Sequence, residues 1–432
     1  MAHITGREIA LEALLLITRD GEYSHIALKE VLDKYQYLEK RERAFITRVV
    51  NGTLERIPEL DYIIDWFSRV KVHKMKPVIR EILRSAVYQI KYMDSVPTSA
   101  ACNEAVKLAV RKGFGNLRGF VNGVLREIGR NMQEVEYPKE GIPYLSVRYS
   151  LPEWLVRQWL SEYDADTVRR MGEEFLKEKP LAIRCNTGRG TPEELEAQLH
   201  REGVAVTREP SVHGAFYIAG YDYLEALPSF RQGKFYVQDI SSMKVAGRAE
   251  VQAGQYVIDV CAAPGGKALH LAELLNGTGH VEARDLTALK VSLIEENIER
   301  SGLANIEAVQ QDATVTDESS FGRADVVLAD LPCSGLGVLG KKPDLKYKMN
   351  VQMQERLVDL QREILATVRH YVKPGGKLIY STCTIHRAEN EGNAAWFASS
   401  YPEFALVSQE QMIPGRDAGD GFYIAVFQKE NA

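Results

Sequence analysis

The feature that most limits the fold is a repeated alternation of strand and helix in the second half of the chain. Tyr256 to Val260 reads as an apolar strand, Lys267 to Leu275 as a helix, His280 to Asp285 as a strand and Ala288 to Arg300 as a helix. Ile306 to Gln311 and Ala324 to Asp330 follow as strands, Gln352 to Tyr371 as a long helix and Lys377 to Ser381 as a strand. Strands separated by helices cannot pair as hairpins, so they lie parallel with helices on both faces. The spacing therefore predicts a doubly wound α/β domain over residues 241–432. Ligands of such sheets sit beyond the carboxyl ends of the strands, and the unusual residues of this region fall there.

The first of these is the loop Asp259-Val260-Cys261-Ala262-Ala263-Pro264-Gly265-Gly266-Lys267, directly after a strand. Two glycines leave no side chain between the backbone and a ligand, so a nucleoside can approach the start of the next helix. The loop lacks the G-x-G-x-x-G spacing that dinucleotides favour. Asp285 ends the next strand, where a carboxylate accepts from two ribose hydroxyls, and Asp312 lies where an adenine amino group could be bound. A plainer reading is that both aspartates cap the helices that follow.

Asp330-Leu331-Pro332-Cys333-Ser334-Gly335 and Ser381-Thr382-Cys383-Thr384 end two further strands. A lone cysteine at a strand end is usually a small buried hydrophobe. Two at the ligand end of one sheet point instead to thiol chemistry on a pyrimidine. Carbon 5 of cytosine is too weak a nucleophile to take a methyl group until a thiolate adds to carbon 6 and makes the ring an enamine. That addition pushes negative charge onto the ring, and Asp330 can stabilise it at ring nitrogen 3 and the amino group. Pro332 fixes the turn between Asp330 and Cys333. Spacing alone does not say which cysteine attacks. Lys341, Lys342, Lys346 and Lys348 form a basic loop after Cys333, read either as support for a flipped-out base and its phosphates or as a solvated loop. Glu389-Asn390-Glu391 reads simply as the start of a helix.

A chain of 432 residues, 45% of them hydrophobic, is too long for one compact domain. Its five cysteines form no CxxC pair and no even framework, so free thiols in a reducing cytoplasm are expected, with neither disulfides nor metal. No basic-then-apolar leader opens the sequence and no apolar run is long enough to cross a bilayer, which predicts a soluble protein without a membrane partner. The net charge of −5 is unevenly spread: residues 1–130 hold 22 Lys and Arg against 16 Asp and Glu, an excess of +6, and the remainder carries −11. From Ile4 to Arg130 apolar residues fall at helical spacing between polar turns and Pro58, Pro77 and Pro97, which predicts an all-helical domain over 1–135. Residues 136–240 mix a helix opened by Leu151-Pro152-Glu153-Trp154 with a strand at Leu181 to Thr187 that carries Arg184, a small α+β module.

Three N-terminal segments resemble the NusB family of RNA-binding domains: Arg80 to Ile90, Val96-Pro97 leading to Asn103-Glu104-Ala105-Val106, and Gly119 to Arg126. The resemblance implies that Arg7, Arg80, Arg84, Arg118 and Arg126 meet RNA phosphates through paired guanidinium bonds. Arg184, Lys341, Lys342 and Lys346 are further candidate RNA contacts. Residues from about 150 onward look like the RNA 5-methylcytosine methyltransferases of the Sun and nucleolar-protein class, which have a Rossmann-like domain and use S-adenosylmethionine. In that family the Ser-Thr-Cys cysteine, here Cys383, is the nucleophile, and the Pro-Cys cysteine, here Cys333, assists product release; DNA cytosine methyltransferases use the Pro-Cys thiol instead. The comparison carries Asp259, Cys261, Ala262, Ala263, Pro264, Gly265, Gly266, Lys267, Asp285, Asp312 and Asp330 onto cofactor and target-base positions. Departures are small: Ala268, Leu331, Thr384 and Met243 stand where a hydroxyl residue, alanine, serine and glutamine are common.

Joined to the NusB-like part, this resemblance implies a monomeric, cytoplasmic enzyme that methylates carbon 5 of a cytosine in 16S ribosomal RNA, at nucleotide 967 of that RNA. A transfer-RNA methyltransferase with the same chemistry and a non-catalytic RNA-binding assembly or antitermination factor are the alternatives.

Overall fold

The computed structural model describes residues 4–35 and 38–431, and the chain divides into two compact units. The first runs to Lys177 and also takes in Leu339–Lys348; the second comprises Glu178–Val338 and Met349–Ala432. No helix among the described residues is long and apolar enough to cross a membrane.

The first unit is built of helices. Gly6–Thr18, Lys40–Glu55, Ile57–Phe67, Pro77–Tyr92, Thr98–Arg111 and Arg118–Asn131 each turn an apolar stripe inward, and Leu14, Val50, Ile63, Leu83, Val87 and Leu125 meet in one core. Helix starts follow local chemistry. The Thr5 hydroxyl accepts from the Glu8 N–H at 3.3 Å, and prolines sit in the first turns of Ile57–Phe67 and Pro77–Tyr92, where a missing N–H costs nothing. Gly52 sits where Tyr88 crosses: an added Cβ would fall 2.0 Å from the tyrosine ring. The helices Gly141–Tyr149, Glu153–Glu162 and Ala165–Phe175 complete the unit.

The second unit holds two sheets. Strands β1 (Leu181–Cys185), β2 (Ala205–Arg208), β3 (Ala215–Ala219) and β4 (Phe235–Val237) form an antiparallel sheet in the order β2-β3-β1-β4, with Ile183, Phe216, Ile218 and Phe235 in its core. The other strands are β5 (Tyr256–Asp259), β6 (His280–Asp285), β7 (Ile306–Gln310), β8 (Ala324–Asp330), β9 (Val372–Thr382), β10 (Phe404–Met412) and β11 (Phe422–Lys429). They form one sheet in the order β10-β11-β9-β8-β5-β6-β7.

The five strands from β9 to β7 are parallel, and β11 and β10 close the other side as antiparallel neighbours. The terminal pair, absent from the expected strands, extends the sheet beyond β9. The chain moves outward one way from β5 through β6 to β7 and the other way from β8 through β9, so the order reverses between β5 and β8. In open α/β sheets a crevice forms at that reversal, outside the carboxyl ends of the strands. Register brings the ends together: Asp330 pairs with Ser381 across β8 and β9, and Asp259 lies between Ala283 and Leu328. Apolar clusters fill both faces, with Val257, Leu271 and Ile294 in one and Ile258, Val327 and Leu378 in the other.

Candidate functional site

Asp259 ends β5 with its side chain almost wholly buried. One carboxylate oxygen accepts from the Cys261 N–H at 3.4 Å; the other is buried with no hydrogen-bond partner among the described residues. Burial first, and the negative charge of Asp330 second, push the Asp259 carboxyl up to about 8. Burial likewise pushes the Cys261 thiol up. The loop continues through a cis Ala263–Pro264 peptide to Gly265, whose φ of +105° is a conformation that side chains rarely adopt, and Gly265 starts the helix Gly266–Leu274.

Asp285, at the end of β6, braces this loop. Its carboxylate accepts from the Ala263 N–H at 3.0 Å and from the Leu286 N–H at 2.8 Å, and Lys290 lies 3.0 Å away. Asp312 makes a local turn, one oxygen accepting from the Thr314 N–H at 2.9 Å and hydroxyl at 2.7 Å. Both aspartates thus have a local structural task and keep lone pairs that a ligand could use.

On the β8 and β9 side, Asp330 is held at both oxygens: Lys267 Nζ lies 2.7 Å from Oδ2 and the Ser381 hydroxyl donates to Oδ1 at 2.7 Å. Burial pulls the Lys267 ammonium down, but Asp330, then Asp259 and Cys383, more than offset this and push it up. Its ammonium also lies 5.3 Å from the centre of the Phe422 ring. Beside this pair the sulfurs of Cys333 and Cys383 approach to 3.3 Å, both half-buried and both free of disulfides. The contact with Cys383, then burial, pushes the Cys333 thiol well up.

Beneath the sulfurs lies a buried polar network that the sequence reading passed over. Glu389 has no exposed surface, and its carboxylate accepts from the Ser334 N–H at 2.9 Å, the Ser334 hydroxyl and Gln361 Nε2 at 3.0 Å. Gln361, from the helix Val351–Val368, also donates to the Pro332 carbonyl at 2.8 Å. The neighbouring Asn390 takes the Thr382 hydroxyl at 2.6 Å and donates to the Thr384 carbonyl at 3.0 Å. The one sequence signal was the run of acidic and amide residues immediately after a cysteine strand, and that run is also what a helix start looks like.

The structure thus brings Asp259, the 261–267 loop, Asp285, Asp330, Cys333 and Cys383 to one edge of one sheet. Three expected RNA contacts are corrected. Arg84 is buried, its guanidinium 2.5 Å from Asp61 and 2.8 Å from Glu81. Arg184 is buried against Gln238 at 2.8 Å and is ion-paired with Glu273, over the face of Tyr236. Lys346 is 3% exposed, and its Nζ donates to the Glu55 carbonyl at 2.8 Å. Each is bonded to partners within its own unit. The basic loop also differs from expectation: Leu339–Lys348 belongs to the helical unit, where Asp344 accepts from the Ser24 N–H and hydroxyl and Tyr347 donates to the Leu54 carbonyl at 2.8 Å. Arg118, Arg126, Lys341 and Lys342 are exposed, and Arg7 and Arg80 half-exposed.

Residues 248–428 match the family described as 16S rRNA methyltransferase RsmB/F, residues 5–130 the NusB family, and residues 151–221 an RsmF/B-like ferredoxin-like domain. The chain is 36% identical over 422 residues to the probable ribosomal RNA small subunit methyltransferase B of Bacillus subtilis (strain 168), covering 96% of this chain and 93% of that protein. It is 30% identical to the protein of the same name from Synechocystis, covering 99% of this chain and 100% of that one. Among solved structures, PH0851 superposes with a TM-score of 0.83 at 27% identity, over 99% of both chains. NSun6 from Pyrococcus horikoshii, crystallised with SFG, shares the fold at a TM-score of 0.58 and 23% identity, over 65% of this chain and 99% of that one.

Proposed function

The chain belongs to the RsmB/F family of 16S rRNA methyltransferases, whose methyl donor is S-adenosylmethionine, and on that premise we propose that it methylates carbon 5 of cytosine 967 in 16S ribosomal RNA through a covalent bond between Cys383 and the base. The observation that carries this reading is the sulfur pair, 3.3 Å apart, in which Cys333 is held as a thiol. Of two adjoining thiols only one ionises readily, because a second charge would face the first. Lys267, whose positive charge acts on Cys383, favours a thiolate there, and Cys383 is the cysteine that the family resemblance names as the nucleophile.

The strand ends suit the donor's chemistry. Asp259 has a buried carboxylate oxygen without a partner and a raised pKa, so it suits a cationic group such as the donor would bring. Asp259 and residues 261–267 would hold the methionine end, Asp285 the ribose hydroxyls and Asp312 the adenine amino group. When bound, S-adenosylmethionine supplies an electrophilic methyl group.

The chain's own residues do the rest. Cys383 adds to carbon 6 of the cytosine, and Asp330 stabilises the charge that moves to ring nitrogen 3 and the amino group. Lys267, paired with Asp330 and electrostatically coupled to Cys383, favours anions on both sides of it. After transfer a water molecule takes the carbon-5 proton, the electron pair of that bond re-forms the double bond between carbons 5 and 6, and Cys383 leaves as a thiolate. The Cys333 thiol, within hydrogen-bonding distance of that sulfur, stabilises the departing thiolate.

In the same reading, residues 1–135 hold the RNA through Arg80, Arg126 and their exposed neighbours, with Lys341 and Lys342 adding charge. Residues 136–240 shape the groove, residues 241–432 carry the chemistry, and the enzyme works as a monomer in the cytoplasm. Bisulfite sequencing of RNA from a deletion strain and its parent tests this. Loss of the signal at cytosine 967 is expected; a loss confined to transfer RNA would reassign the substrate, and no loss anywhere would refute the reading.

A further inference from the structure

The Pro-Cys loop and the Ser-Thr-Cys strand are distant in sequence, yet their sulfurs must meet with a tolerance well below an ångström if one is to stabilise the other. One side chain from the segment that follows the second grips the first of these loops by two bonds. Glu389 lies six residues beyond Cys383, and its two carboxylate oxygens take both polar hydrogens of Ser334, the residue after Cys333. Gln361 adds a second tie, donating both to Glu389 and to the carbonyl of Pro332, the residue before Cys333. Cys333 is thus fixed on both sides through one buried carboxylate. The Ser334 and Thr384 hydroxyls, each next to a cysteine, also lie 2.8 Å apart. Ser334, Gln361, Thr384 and Glu389 are all fully buried, so water cannot stand in for any of these bonds.

We propose that Glu389 is a positioning residue for the methyl-transfer site, clamping the loop of Cys333 against the loop of Cys383 and setting the division of labour between the two sulfurs. A carboxylate buried without a full counter-charge is costly, and a neutral side chain could close a loop at lower cost. The charge has a use here. Lying behind Cys333, it opposes a negative charge on that sulfur. The titratable groups around Cys333 are Cys383, Glu389, His386, whose Nδ1 lies 3.3 Å from Glu389, and Tyr380, whose hydroxyl donates to the Glu389 carbonyl. Lys267 acts on the Cys383 side. What the clamp serves rests on the methyl-transfer reading above; that the clamp exists does not.

The test therefore uses neither RNA nor cofactor. The full chain is treated with iodoacetamide between about pH 6 and 10, and the alkylation of each cysteine is followed by mass spectrometry, since the thiolate is the reacting form. In the wild type Cys383 should react well before Cys333. In Glu389→Gln, which keeps the shape and removes the charge, the Cys333 profile should move to lower pH by about one unit, so that Cys333 reacts roughly tenfold faster at a given pH. Cys102 and Cys185, each 2% exposed, are internal reporters of unfolding and should stay unreactive. Glu389→Asp, which keeps the charge, should restore much of the wild-type order. If Glu389→Gln opens Cys102 or Cys185, Ser334→Ala takes its place: it removes a hydroxyl that donates to the carboxylate, leaves the charge in position and less compensated, and should slow Cys333 relative to Cys383. An unchanged ratio of Cys333 to Cys383 reactivity in a folded Glu389→Gln or Ser334→Ala protein overturns the proposal.

Discussion

The sulfur atoms of Cys333 and Cys383 lie 3.3 Å apart although fifty positions separate them in the chain. On the proposed mechanism the two thiols form one chemical unit with two roles, and the roles should separate under mutation. Cys383→Ala should abolish methylation and form no bond to RNA, because the enamine is never generated. Cys333→Ala keeps the nucleophile and loses the group that eases its departure. A protein–RNA adduct should then accumulate and appear as a shifted band on a denaturing gel. An adduct in the Cys383 variant and none in the Cys333 variant would reverse the assignment.

Asp285 should contribute to the cofactor through its charge. Asp285→Asn keeps the size of the side chain and much of its bracing of Ala263, while weakening charge-assisted bonds to ribose hydroxyls. A loss of about 1.5–3 kcal/mol is expected, roughly tenfold or more in affinity for S-adenosylmethionine. Calorimetric titration measures it. Unaltered affinity would confine Asp285 to holding the loop.

Arg84 and Arg126 should part company. Arg84→Ala leaves the buried Glu81 and Asp61 short of a partner and should cost on the order of 3 kcal/mol in denaturant unfolding. Arg126→Ala, at an exposed position, should leave stability unchanged and lower the salt slope of RNA binding by about 0.7–0.9. Equal effects of the two on unfolding would contradict the packing described for Arg84.

Lys346 gives stability a distinctive pH dependence. Burial lowers its ammonium from the ordinary 10.5 to about 7 in the folded chain. Between these values the unfolded chain binds a proton that the folded chain does not, so this group makes stability rise with pH across that window. Lys346→Met should flatten the rise and leave the protein more stable near neutrality by about 1–2 kcal/mol. Urea unfolding of both proteins at pH 7 and pH 9 decides it; parallel behaviour would mean that Lys346 is not buried in solution.

The sequence was most readable where periodicity is local. Ala324–Asp330 and His280–Asp285 are strands over the residues that their apolar runs indicate, and the aspartates at their ends stand at the ligand edge because a parallel sheet puts them there. It was least readable where a charge is spent at long range. Arg84 meets Asp61 from 23 positions away, Arg184 meets Glu273 from 89 and Lys346 reaches Glu55 from 291, and no window of sequence contains both partners. Glu389 was missed for the same reason: its partner Ser334 lies 55 positions upstream. Of the pair that closes the sheet, β10 alternates weakly, with Ser408, Gln409, Glu410 and Gln411 along a sheet edge, whereas β11 is an apolar run that periodicity alone could have shown.

The segment Leu339–Lys348 bears on how such a protein can be inherited. The gene stretch that encodes it sits among codons of the catalytic sheet, yet the residues are finished by Ser24, Leu54 and Glu55. A recombination event that exchanged the first hundred or so codons for those of another helical front would strand Asp344, Lys346 and Tyr347 without their partners. The front end is therefore no interchangeable cassette. Relatives should keep or lose the two stretches together, and a designer grafting this catalytic sheet onto a new targeting domain must rebuild that short segment as well as the junction.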